Sequence, residues 1–137
     1  MAKKSSRILS LILALVLIAS WAVSASALSV STKRSNSAVI SVCTCGDRLF
    51  LAKKSTVTIK NNGDQAITVK CISSNAKDVE GNIWGGVKIY PGGQMSIQIT
   101  TSWGKSAVTK LKVTSFDPDS IDFTVTGKKT GAIGWTA

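Results

Sequence analysis

Apolar and polar residues alternate with a period of two along much of the chain, the pattern of strands with one buried and one wet face. In 56–60, Val57 and Ile59 share one face, and Thr56, Thr58 and Lys60 the other. In 65–73, Ile67, Val69 and Cys71 oppose Thr68 and Lys70. In 94–100, Met95, Ile97 and Ile99 oppose Ser96, Gln98 and Thr100. Lys110 and Lys112 stand against Leu111 and Val113 in 107–115, and Asp122, Thr124 and Thr126 against Ile121, Phe123 and Val125 in 120–127. The runs 38–44 and 86–90 bring the expected set to about seven strands. Leu49-Phe50-Leu51 adds apolar material ahead of residue 56. No segment carries an apolar stripe at helical spacing.

The punctuation between these runs agrees. Asn61-Asn62-Gly63-Asp64 predicts a hairpin turn, since Asn and Gly tolerate the positive φ such turns need. Pro91-Gly92-Gly93, Trp103-Gly104-Lys105-Ser106 and Asp117-Pro118-Asp119 are further turn signals. The longest weakly patterned stretch is 74–86. Short, half-polar strands at roughly ten-residue spacing predict an all-β antiparallel sandwich around one core.

The first residues break this pattern. Lys3, Lys4 and Arg7 precede an uncharged run of mostly Leu, Ile, Val and Ala over 8–23. Ala25-Ser26-Ala27 then supplies the small residues that signal peptidase reads. We therefore expect a cleaved signal helix over 1–27, a mature start at Leu28, a flexible Ser-, Thr- and Lys-rich lead-in over 28–37, and one domain over 38–137. A membrane anchor is the rival reading, because the run is about long enough to cross a bilayer. It lacks a positive stop behind it, so no stable membrane insertion is expected after cleavage. The first cysteine, Cys43, lies too far downstream for lipidation. The leader resembles signal peptides of Gram-positive bacteria.

Charge narrows the partners. The whole chain carries a net charge of +10, with 17 basic and 7 acidic residues. Three basic residues lie in the leader and all the acidic ones follow it, so the mature part is strongly cationic. Such a surface favours anionic cell-wall polymers, acidic glycans or lipid head groups, although a dispersed Lys-rich surface also serves solubility alone. No run of like charge reaches the length of a nucleic-acid tail, and aromatics do not interleave with the basic residues. Nucleic acid is therefore not an expected partner.

The strand-and-turn at Val57-Thr58-Ile59-Lys60-Asn61-Asn62-Gly63-Asp64 and the Pro-Gly-Gly at 91–93 resemble immunoglobulin-like bacterial modules. The run 111–119 followed by Phe123-Thr124-Val125-Thr126-Gly127 resembles the closing hairpin of Hydin-type (abnormal-spindle-like) immunoglobulin-like domains. The likeness covers about residues 50–131. It implies an immunoglobulin-like sandwich and a non-enzymatic structural or binding role, and it carries over no binding residue.

Candidate chemistry is sparse. The chain has no histidine, which removes Ser-His-Asp and Cys-His catalysis and His-based zinc sites. No cofactor is expected. Cys43, Cys45 and Cys71 predict a disulfide in an exported protein. Cys43 and Cys45 share a face of one strand and would be strained as a pair, so the expected bridge joins Cys71 to either of them. The leftover thiol would be buried or would pair between molecules. A Cys-based metal or redox site is the weaker alternative. Asp117, Asp119 and Asp122 have the spacing of oxygen ligands, yet they lack the Gly and terminal Glu of a calcium loop and fit a plain turn. Trp84, Trp103 and Tyr90 adjoin Gly or Pro and are candidates to stack on sugar rings, or else to plug the ends of the core. Trp135, beside Gly134, is open to the same two readings.

These features predict a secreted, non-enzymatic binding or structural module, free or loosely held at the cell wall. Open strand edges leave self-association available to it. The alternative is a secreted cationic effector acting on membranes, for which the sequence shows no amphipathic helix.

Overall fold

The computed structural model describes residues 25–46, 52–80 and 82–136. These form ten strands: β1 (Ala25–Thr32), β2 (Ser37–Cys45), β3 (Ala52–Asn61), β4 (Ile67–Ser74), β5 (Asp78–Val79), β6 (Val87–Ile89), β7 (Gln94–Ser102), β8 (Ser106–Ser115), β9 (Ile121–Lys128) and β10 (Ile133–Thr136). A single 3-10 turn, Asn82–Trp84, is the only helical element among the described residues. All seven strands expected from the alternation are present. The residues 1–24 of the expected leader, and Leu49-Phe50-Leu51, lie outside the described residues.

The strands form two antiparallel sheets of five, in the orders β1-β9-β3-β7-β5 and β10-β2-β8-β4-β6. Odd-numbered strands make one sheet and even-numbered strands the other. Every connection therefore carries the chain from one sheet to its partner. The pairs β1/β9, β2/β8, β3/β7 and β4/β6 show why: the chain doubles back at β5, and the resulting ribbon rolls up. Contacts of β9 with β3 and of β8 with β4 close the roll. Without β5 and β10 this is the strand order of a jelly roll.

That order corrects three expectations. The turns at 61–64 and 116–120 do not close hairpins, because β3 and β4, like β8 and β9, lie in different sheets. The immunoglobulin-like arrangement, in which the first two strands neighbour each other in one sheet, is not this order. Nor is 28–37 a flexible lead-in: Leu28–Thr32 pairs with β9 from Val125 to Ile121, and Val30 is fully buried opposite Phe123. Cross-sheet burial overrides the polar composition here, since Ser29 and Ser31 occupy the outer face of β1 while Val30 faces the core. β1 also runs through the expected cleavage point, with Ala27 and Leu28 opposite Thr126 and Val125.

One core fills the space between the sheets. Ile40, Val42, Val69, Leu111 and Val113 from one sheet meet Val30, Val57, Ile59, Ile99, Phe123 and Val125 from the other. Ile83 of the 3-10 turn plugs its side. A few buried polar groups tie the ends. Thr101 Oγ1 donates to Thr44 Oγ1 across the sheets at 2.6 Å. At the opposite end, Asn61 is fully buried. Its Nδ2 donates to the carbonyls of Gln65 (2.8 Å) and Ile89 (3.1 Å), and its Oδ1 accepts from the Gly63 N–H at 3.0 Å. Its backbone bonds to Gly92 and Gly93, and Gly92 takes the positive φ of 75° that closes this turn.

The burial of Val30 separates a strand from a free lead-in. Val30→Ala is expected to cost about 2 kcal/mol, from two buried carbons and the cavity they leave. Ser31→Ala, on the wet face, should stay within about 0.5 kcal/mol. Equilibrium urea unfolding of both variants reads the difference, and an unchanged Val30→Ala midpoint would mean that β1 is not docked.

Candidate functional site

The outer faces of the two sheets differ in chemistry. On the β1-β9-β3-β7-β5 sheet, Thr56, Thr58, Thr124, Thr126, Ser96 and Gln98 dominate the wet positions, and hydroxyls pair across strands, as in Thr58–Ser96 at 2.8 Å. No two lysines stand directly opposite each other there.

The β10-β2-β8-β4-β6 sheet is cationic. Register places Lys88 of β6 opposite Thr68 of β4, and Thr68 opposite Thr114 of β8. Two residues further along, Lys70 of β4 stands directly opposite Lys112 of β8. Lys110 follows on β8, between Ser73 of β4 and Ser41 of β2. All four lysines are exposed. The strand positions of this face, from Ser37 to Cys45 on β2 and Ser106 to Thr114 on β8, include no acidic residue. Two directly opposed lysines repel, so the Lys70–Lys112 pair works against the sheet.

Two aromatic rings crown the lysines. Tyr90 and Phe116, at the ends of β6 and β8, are 66% and 60% exposed, the highest values among the described large apolar side chains. Lys88 Nζ lies 5.1 Å from the Tyr90 ring centroid and 4.8 Å from that of Phe116, within cation–π range of both. The Phe116 N–H donates to the Ala66 carbonyl at 2.9 Å, which fixes the ring's backbone beside the start of β4.

The other sequence candidates fall elsewhere. Trp103 lies in the β7–β8 turn, at the opposite end of the sandwich from Tyr90. The nine residues of β7 separate the two turns by about 30 Å. Trp84 is half exposed in the 3-10 turn before β6, and Trp135 sits on the edge strand β10. The three candidates Trp84, Trp103 and Tyr90 therefore form no single stacking strip. Phe116 and the lysine cluster are the residues that sequence reasoning missed. The alternation puts Lys110 and Lys112 on a wet face, but only the register brings Lys70 beside them.

The disulfide expectation is corrected. Cys43 and Cys45 are exposed on the outer face of β2, whereas Cys71 is buried on the inner face of β4. β8 runs between those strands. Neither exposed thiol can reach Cys71 through the sheet, and all three cysteines are free. Burial pushes the Cys71 thiol above its ordinary pKa, which suits an inert core residue.

The acidic cluster is a turn. Asp117 accepts hydrogen bonds from the Asp119 N–H at 2.9 Å and the Ser120 hydroxyl at 2.8 Å, and these hold its carboxyl below the ordinary value. Among the described residues, no group of three His, Cys, Asp or Glu side chains is placed to hold a metal ion. The sequence matches no protein-family model and no curated protein sequence.

The two faces of the cysteine-bearing sheet predict a clean chemical difference. In the reduced native protein, a thiol reagent should label Cys43 and Cys45 rapidly, and Cys71 only on unfolding. Mass spectrometry of the alkylated protein before and after denaturant counts the adducts. Native labelling of Cys71 at the same rate would reverse the face assignment.

Proposed function

We propose that this chain is an exported, non-enzymatic binding module that holds an anionic polymer or glycan of the cell envelope on the outer face of the β10-β2-β8-β4-β6 sheet. The observation that carries this reading is the directly opposed pair Lys70–Lys112, extended by Lys110 and Lys88 with no carboxylate among them. A polyanion laid along β8 would meet a lysine about every 7 Å, the two-residue repeat of a strand. Tyr90 and Phe116 at the upper end offer apolar faces to the C–H side of a sugar ring. Export supplies the setting, through the basic, apolar and small-residue order of the leader. Cleavage between Ala27 and Leu28 would leave Val30 and the inner half of β1 in place.

Retention of the purified protein on an anionic wall polymer, such as a polyglycerol-phosphate, tests this reading beside a neutral glycan. Binding to the polyanion should weaken steeply as salt rises. Lys70→Gln with Lys110→Gln and Lys112→Gln should lower affinity about tenfold or more, at roughly 0.5–1 kcal/mol per lost charge contact. Tyr90→Ala with Phe116→Ala should weaken binding to sugar-containing polymers more than to inorganic polyphosphate. Trp103→Ala, at the far end, should leave retention unchanged. Undiminished binding by the triple lysine variant would overturn the assignment of this face. Leakage of anionic lipid vesicles would instead favour a cationic effector acting on membranes.

A further inference from the structure

Below the lysines, the same sheet face carries Cys43 and Cys45 as neighbouring outward positions of β2, opposite Val108 and Ser106 of β8. We propose that these two thiols are a covalent dimerisation site, at which two copies of this protein join by reciprocal Cys43–Cys45 disulfides. This goes beyond polymer binding, and it draws on export only for the oxidising compartment in which the bonds form.

Geometry excludes Cys71 as a partner and strains a bond between Cys43 and Cys45. Cys71 is two strands away and on the other side of the sheet. Strand spacing alone puts about 10 Å between β2 and β4, beyond the reach of a disulfide at about 7 Å between Cα atoms. Cys43 and Cys45 cannot easily bridge each other. Their Cα atoms lie about 6.8 Å apart in an extended strand, at the limit for the bond, and their side chains run parallel.

A second copy solves both problems. In a two-fold interface, residue i meets j while j meets i. If two β2 strands cross antiparallel at Thr44, Cys43 of each copy lies over Cys45 of the other. Both separations are then equal, because the same two-residue spacing is used twice. The bond requires the strands to approach more closely than the roughly 10 Å of ordinary sheet packing. Small neighbours permit this: Ser41 and Ser106 flank the thiols on the face, and Gly131 donates its N–H to the Cys43 carbonyl at 2.8 Å. A side chain at Gly131 would crowd the Cys43 carbonyl oxygen and Cβ. Val108, 41% exposed directly opposite Cys43, adds an apolar contact that the dimer would cover. The antiparallel crossing also sends the two lysine clusters in opposite directions, so they do not face each other.

Each disulfide forms by thiolate attack on a disulfide oxidant and release of its two thiols. With oxidised glutathione, one molecule is reduced to two of glutathione per protein disulfide, and the two protein thiols lose their hydrogens to it. Two oxidant molecules complete one dimer.

The test is oxidation of the purified protein with oxidised glutathione, followed by non-reducing electrophoresis and intact mass measurement. The expected product is a dimer that reverts to monomer with dithiothreitol and whose mass lacks the hydrogens of two disulfides. Cys71→Ser should dimerise as the parent does, and Cys43→Ser with Cys45→Ser should not dimerise. Either single variant should reduce the dimer yield several-fold, since the reciprocal partner is lost. A monomer whose exposed thiols both remain open to alkylation would overturn the proposal. So would a monomer lighter by one internal disulfide, an open ladder of oligomers, or a dimer that depends on Cys71. Polymer retention measured on the reduced protein reports on the lysine face alone, so the two proposals can fail separately.

Discussion

The inward-facing side chains of each long strand pack against a strand that is remote in sequence. Val30 stands beside Phe123, and Val69 beside Val113. Consecutive strands never pair side by side; they meet only across the core. The doubled ribbon that turns at β5 therefore has no stable part smaller than most of itself, because each local segment leaves its apolar face open until the distant half arrives. A strand pair at the sheet edge gains little alone. Such long-range pairing closes large loops before contacts form, the feature associated with slow folding in all-β domains.

The ends of the roll show how the crossings are held. A chain that leaves one sheet and enters the other exposes backbone groups at the corner, and these need partners. Asn61 supplies several at once, bonding forward to Gly63 and Gln65 and across to Ile89, Gly92 and Gly93. The side chain ties the 63–65 turn to Ile89, and the backbone of the same residue holds Gly92 and Gly93. At the other end, the Thr44–Thr101 bond and the Ser55 hydroxyl, which donates to the Lys129 carbonyl at 2.7 Å, do similar work. Polar groups buried in this way cost little when fully bonded and much when not, so they fix the register of the corners.

With stability assigned to the inner positions, the outer positions are free to carry function. The two wet faces diverge accordingly. One is rich in hydroxyls, with Lys54, Lys60, Lys128 and Asp122 spaced among them; the other combines opposed lysines without a carboxylate, an aromatic pair around Lys88, and two thiols on β2. These groups come from β2, β4, β6 and β8, which are scattered along the chain and adjacent only through the sheet. The gathering of like charges is the part that sheet stability does not ask for.

The sequence by itself determined the elements. Period-two alternation located seven strands and the inward sets around Val57, Val69, Ile97, Leu111 and Phe123, because which face is apolar is a local property. It also placed Cys43 and Cys45 on one face. Tertiary structure alone decided the partners. A reversal such as 61–66 has the same turn chemistry whether the next strand pairs alongside or crosses to the opposite sheet, so the hairpins expected there became crossings. β1 looked like a polar lead-in because only alternate residues of an edge strand need be apolar, and Val30 alone is fully buried among its described side chains. β5 and β10 are too short to show a period. The separation of Cys71 from Cys43 and Cys45, and the meeting of Lys70 with Lys112, follow from strand order and register, which long-range burial sets and no local pattern records.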